Sequence, residues 1–268
     1  VRATHIQRVV VRSHGDVLLY NHLKPSTRKR WWDLAPLSLP RVGLSFSLPR
    51  EVSRVRWLGR GPHENYPDRM EGAHVGLFEE RVSELHTPYI VPSDNGERCD
   101  VRFLQALSPQ GGLRVAAVGG EGRAGEGGGG GEGGGDARFG FSVSRYSLSS
   151  LEAATHSCEL RESAEVELAV DEKVMGVGGD VSWHRSTYKR YWVPVAPYTW
   201  AVQLTPFGQN SHVEEQQRRI PPPPPIGSWV ASDGRSGGWG KCLWRAMGWR
   251  GAGKRQGVAL LHAAEGDS

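Results

Sequence analysis

Period-two alternation of apolar with small or polar residues recurs along most of this chain, and it limits the fold more than any other feature. Val42, Leu44, Phe46 and Leu48 alternate with Gly43, Ser45 and Ser47, and Tyr198, Trp200, Val202 and Leu204 share one face of a second run. Successive side chains of a strand point to opposite faces, so this pattern predicts half-buried strands. Phe139, Phe141 and Val143 carry it, as does Glu165 to Val170, followed by a predicted turn over Asp171 to Asp180. Ile6 to Val11 and Val17 to Tyr20 flank the turn-forming Ser13-His-Gly-Asp16. Val52 to Leu58, Arg98 to Leu107 (through Val101, Phe103 and Leu107) and Leu113 to Val118 extend the set, and Ala73 to Phe78 suits a short strand or an irregular crossing. Val82 to Val91 carries Pro88, which predicts an edge or a strand break. Ser149 to Cys158 reads as a short helix, because Leu151, Ala154 and Cys158 fall at i, i+3 and i+7. The expected architecture is all-β, a large antiparallel β-sandwich.

Composition sets the domain boundaries. The apolar share is only 38%, with 36 glycines and 17 prolines, but those residues are concentrated. A Gly/Glu tract fills 118–136 and a five-proline run spans Pro221 to Pro225. The expected organisation is therefore a sandwich over 1–208 with a Gly-rich insertion at 118–136, then a Pro-rich linker and disordered tail over 209–268. Lengthening a loop is cheap, about 0.6 kcal/mol per doubling. Arg30-Trp-Trp-Asp33 fits no regular element.

Several function classes are disfavoured. A formal charge of +4 from 33 basic and 29 acidic residues is mild and mixed, which argues against nucleic acid as a partner. No apolar run approaches the roughly 18 residues of a membrane helix. The first residues already read as a strand, so no signal peptide is visible. Cys99, Cys158 and Cys242 are odd in number and far apart, reading as unpaired thiols of a reducing compartment, which favours the cytoplasm. His63, His86, His156 and His184 have no second ligand at metal spacing, so no cofactor or metal is expected from this chain.

Three loops rich in turn formers stand between the strands: Leu58-Gly-Arg-Gly-Pro-His-Glu-Asn-Tyr-Pro-Asp-Arg69, Thr87-Pro-Tyr-Ile-Val-Pro-Ser-Asp-Asn-Gly-Glu-Arg98 and Gly176-Val-Gly-Gly-Asp-Val-Ser-Trp183. Loops on a rigid sheet are where binding sites are usually built. Trp183 could stack on the apolar face of a sugar ring or simply pack over the sandwich edge. Gly178 and Gly179 would let its loop fold tightly, and Asp180 would shape that loop through local backbone bonds. Glu64 and Asp68 invite reading as an acid/base pair, although ion pairs with Arg69 or Arg60 are the simpler expectation.

Taken together, Pro40-Arg-Val-Gly-Leu-Ser-Phe46, Trp57 to Arg69, Thr87-Pro-Tyr89, Asn95-Gly-Glu-Arg-Cys99, Ser144-Arg-Tyr-Ser147 and Met175-Gly-Val-Gly-Gly-Asp-Val-Ser-Trp183 resemble, in order and spacing, the C-terminal β-sandwich domain or small chain (domain 5) of the lacZ-type β-galactosidases of glycoside hydrolase family 2. The resemblance covers about Pro40 to Gly208. It implies a supersandwich of the galactose mutarotase-like kind, N-terminally truncated, with the Gly-rich tract inserted at a hairpin tip. It further implies that Trp183 contacts a β-galactoside substrate. Both catalytic carboxylates, and the magnesium and sodium ions, would belong to a (β/α)8 barrel outside this chain, on a large chain or upstream segment. An oligomer is compatible with it. Val181 departs from the family pattern, where a second acid is expected after Asp180. The alternative is a non-hydrolytic carbohydrate-binding or aldose mutarotase-like module, which shares the fold without the chemistry.

Overall fold

The computed structural model describes residues 2–13, 15–26, 38–118, 137–179 and 187–208. The Gly-rich insertion, Arg30-Trp-Trp-Asp33, and the linker and tail over 209–268 lie outside the described residues. The described strands are β1 (Arg2–Val11), β2 (Val17–Ser26), β3 (Ser38–Leu39), β4 (Arg41–Leu48), β5 (Arg54–Gly61), β6 (His74–Arg81) and β7 (Arg98–Val101). They continue as β8 (Phe103–Ser108), β9 (Gly111–Ala117), β10 (Phe139–Ser144), β11 (Val166–Val174), β12 (Val193–Pro194) and β13 (Tyr198–Gly208). One sheet has seven strands in the order β1-β2-β13-β9-β8-β5-β6, another has four, β4-β11-β10-β7, and β12 pairs with β3. The pairings are antiparallel.

The sandwich core lies where the alternating apolar faces of the two sheets meet. Val55, Trp57, Leu104, Val115, Val202 and Leu204 come from the larger sheet, and Leu44, Leu48, Phe141, Val143, Leu168 and Val170 from the smaller. Trp57 is fully buried at the junction, with Phe141 edge-on at 5.5 Å and Phe78 tilted at 5.3 Å between ring centroids. Its Nε1 donates to the Arg60 carbonyl at 3.1 Å, so the one polar atom of the indole is satisfied. Burying a large apolar side chain contributes about 1.5–3 kcal/mol.

The alternation located the strands but not always their phase or extent. Arg98 to Leu107 is two strands in different sheets. The chain crosses between sheets around Asp100, which adopts a left-handed φ of +58°, a region Asp tolerates better than most residues. Arg102 then donates its N–H to the Leu58 carbonyl at 2.8 Å. The crossing shifts the core phase to Leu104 and Ala106, leaving Phe103 half-buried beneath the Arg114 guanidinium, 4.9 Å from the ring centroid. The same topology corrects the hairpin-tip expectation, since β9 and β10 sit in different sheets and are not hairpin partners.

Three further expectations are adjusted. The predicted turn over Asp171 to Asp180 begins late, because β11 runs to Val174 against β4. Val82 to Val91 holds a single 3₁₀ turn, Val82–Glu84, ahead of irregular backbone. The predicted helix shortens to α1 (Leu148–Ala153), because the Glu159 carboxylate takes the Thr155 N–H at 2.7 Å and the His156 N–H at 3.3 Å and starts a new 3₁₀ turn. Cys158 consequently stays exposed instead of sharing a face with buried Leu151. Ser147 caps α1, its hydroxyl accepting the Ser150 N–H at 3.1 Å. Ser147→Ala should lower stability by about 1 kcal/mol in chemical denaturation.

At the margin, β1 has β2 as its only neighbour among the described residues, and Ile6, Val9 and Val11 on it are exposed. The β1–β2 hairpin closes through Gly15, whose φ of +94° suits glycine.

Candidate functional site

The three loops singled out by composition are stitched together, and the stretch after β5 is the hub. Asn65, fully buried, joins it to the end of the Thr87–Arg98 loop and to β7. Its N–H donates to the Glu97 carbonyl at 2.7 Å, its Oδ1 accepts the Cys99 N–H at 2.9 Å, and its carbonyl accepts the Cys99 thiol at 3.3 Å. Glu64 adds two links, accepting the Gly96 N–H at 2.8 Å and the Tyr89 hydroxyl. Within the second loop, Asn95 Oδ1 accepts the Thr87 N–H at 2.9 Å. Four of these bonds satisfy backbone N–H groups, those of Asn65, Cys99, Gly96 and Thr87, that would otherwise need water.

From the same hub, Asp68 reaches the third loop. Its Oδ2 accepts the Gly178 N–H at 2.7 Å. Gly178 and Gly179 hold φ values of +75° and +98°, so the tight turn expected of them is present and both positions suit glycine. Gly176 N–H donates to the Tyr191 carbonyl at 3.0 Å, and Trp192 Nε1 donates to the Thr187 carbonyl at 3.0 Å. Asp180 and Trp183 lie outside the described residues.

Glu64 and Asp68 are thus engaged in holding loops. The expected ion pairs with Arg60 are replaced: Arg60 binds Asp100 at 2.8 Å and caps the Met70 and Ala73 carbonyls at 3.0 and 2.9 Å. Asp100 also pairs with Arg138 at 3.3 Å. Although partial burial opposes ionisation of Asp100, its bonds to the two arginines bring its carboxyl below the usual range.

Beneath these loops lies a group of charges that the sequence reading missed. Asp171 sits on β11, opposite the face that carries Val166, Leu168 and Val170. Its cross-strand partners are Gly43 and Gly140, and a Cβ at either glycine would overlap a carboxylate, that of Asp171 over Gly43 and that of Glu97 over Gly140. Into this space come Glu97 and Asp171, both buried, with Arg41 Nη2 at 3.2 Å from Asp94, 3.3 Å from Asp171 and 3.5 Å from Glu97. If every carboxyl were ionised, both Glu97 oxygens and Asp171 Oδ2 would lack a hydrogen-bond donor. A proton on one Glu97 oxygen, donated to Asp171 Oδ2, leaves one of those three oxygens to be met by the Arg41 guanidinium alone. Burial, reinforced by neighbouring Asp171, holds the Glu97 carboxyl well above its ordinary range. Burial also pushes Asp171 up, to about 6, with Arg41 opposing. Burial likewise raises the nearby Tyr66 phenol and Cys99 thiol, so both stay neutral near pH 7. The available signal was Gly43 and Gly140 interrupting two strands, since a strand glycine often marks a close approach.

The sequence model of a family described as "Beta galactosidase small chain" matches residues 3–204. A protein named beta-galactosidase from Vibrio cholerae is 44% identical over 172 residues, which is 64% of this chain and 14% of that protein. The beta-galactosidase of Aeromonas hydrophila is 38% identical over 167 residues, 61% of this chain and 14% of its own length. That of Enterobacter cloacae is 39% identical over 168 residues, covering 62% and 14%. The chain therefore spans only about 14% of the length of these relatives.

Proposed function

The chain belongs to the β-galactosidase small-chain family, and from that premise we propose that it is the small-chain portion of a β-galactosidase, presenting Trp183 to the substrate. The substrate is a terminal non-reducing β-D-galactoside, and bond cleavage falls to a catalytic barrel upstream in the same polypeptide or on a separate large chain. The observation that carries this reading is the Met175–Gly179 loop. It leaves β11 in a tight turn, is bonded to the hub loop through Asp68, and leads directly into the segment containing Trp183.

The engagement of Glu64 and Asp68 supports the division of labour. A retaining glycosidase needs two carboxylates about 5–5.5 Å apart and free to act on the sugar. Here Glu64 is bonded to the Tyr89 hydroxyl and the Gly96 amide, and Asp68 to the Gly178 amide. An indole face then supplies what the chain adds, apolar contact with the pyranose and one N–H donor.

The test is a chromogenic β-galactoside assay. The purified chain alone should show no turnover. In the enzyme containing both this chain and its barrel, Trp183→Ala should raise KM roughly tenfold, the size of one lost aromatic contact. Turnover by the chain alone that disappears in Glu64→Gln would overturn the proposal.

A further inference from the structure

We infer that Asp68 is a positioning residue for the substrate-contacting segment, clamping the point where that segment leaves the sandwich and returns to it; this rests on the reading of Trp183 given above. Asp68 belongs to the hub loop, far from Gly178 in sequence, and the two are joined through one short bond, Gly178 N–H to Asp68 Oδ2 at 2.7 Å. The returning chain arrives at the same place. A Cβ built on Gly176 would lie 2.8 Å from Asp68 Cγ, 2.9 Å from Asp68 Oδ2 and 2.9 Å from Thr187 Oγ1. Asp68 from the hub loop and Thr187, the first described residue after 180–186, thus converge on Gly176, which precedes that segment. Only a residue without a Cβ fits between them.

The polar environment makes the clamp specific. Asp68 Oδ1 and Thr187 Oγ1 are both buried without a hydrogen-bond partner among the described residues. Among the described residues, Asp68 bonds the amide of Gly178, the first of two left-handed glycines that have no side chains of their own to fix the turn. Gly176 is held on its other side by the Tyr191 carbonyl, whose strand-side neighbour Trp192 is tied back to the Thr187 carbonyl. Losing the carboxylate would free the departing stem while leaving the sandwich core untouched. A charge-assisted bond of this kind typically carries a tenfold effect or more on the geometry it fixes.

Two measurements test it. On the purified chain, hydrogen exchange of the Gly178 amide should quicken about tenfold in Asp68→Ala and much less in Asp68→Asn, whose side-chain carbonyl can still accept the bond. In the enzyme containing the barrel, Asp68→Ala should raise KM for a chromogenic β-galactoside roughly tenfold, with a smaller change in kcat and recovery in Asp68→Asn. Placed in a Trp183→Ala background, the same substitution should add little, since the clamp acts through that indole. Unchanged exchange at Gly178 in Asp68→Ala, or equal KM effects of Asp68→Ala with and without Trp183, would overturn the inference while leaving the proposed function standing. A wild-type KM in Trp183→Ala would overturn the proposed function, and with it any role of Asp68 in substrate contact. Quickened exchange would then show Asp68 as a loop brace alone.

Discussion

Arg41→Ala should destabilise the chain by about 3–5 kcal/mol, the usual cost of removing one partner from a buried ionic group. Arg41 is the cation shared by Asp94, Asp171 and Glu97 at 3.2–3.5 Å, and the last two carboxyls are shut away from water. Burial works against the charge of Arg41, but Asp171, Asp94 and Glu97 outweigh it and hold the guanidinium charged. Its removal takes away the guanidinium that lies within 3.3–3.5 Å of both buried carboxyls. Protonation of both carboxyls offsets part of the loss, so the penalty should shrink towards pH 5. The measurement is a fall in the urea midpoint at unchanged m-value. A loss below about 1 kcal/mol would mean that the group behaves like an exposed ion pair. Replacing the whole group by apolar residues should not recover a wild-type fold. Gly43 and Gly140 shape the space for carboxylates, and the loops above it are anchored beside Glu97 through Asn65.

That group marks the boundary of what could be read from the sequence. Alternation in Arg41 to Leu48, in Phe139 to Val143 and in Tyr198 to Leu204 located strands, because period-two burial is a local property. Sheet membership is not local. The crossing around Asp100 splits one apparent strand between two sheets, and no periodicity marks it. The loops were visible through their turn formers, and the turn at Gly178 and Gly179 was legible because only a tight backbone calls for consecutive glycines. Their mutual contacts were not. Asp68 and Gly178 meet across 110 residues, and a carboxylate four positions from Glu64 suggests chemistry more readily than bracing. Nothing local marked Glu97, because its partners, Arg41 and Asp171, arrive from β4 and β11.

The shared proton of Glu97 and Asp171 should make stability fall as pH rises, measured against a variant that lacks the proton. Both carboxyls bind protons more tightly in the folded chain, Asp171 with a value of about 6 and Glu97 held well above the ordinary range, in each case chiefly through burial. In the unfolded chain such groups release protons near pH 4. The unfolded state is therefore favoured increasingly from about pH 4 upwards, and the contribution of the pair is lost as pH climbs through the folded values. Other groups act in the same interval. His5 and His86 are pushed down by burial, so their contribution is present above the ordinary imidazole range and lost as pH falls. The wild-type curve alone is thus a mixture of opposing slopes. Glu97→Gln separates them, because its amide still donates to Asp171 but has no proton to release. Between pH 5 and pH 8 Glu97→Gln should gain steadily on wild type as pH rises, because only the wild type has this proton to lose. A constant gap across that range would mean that Glu97 is already ionised at pH 5 and that Arg41 balances the buried carboxylates without a proton.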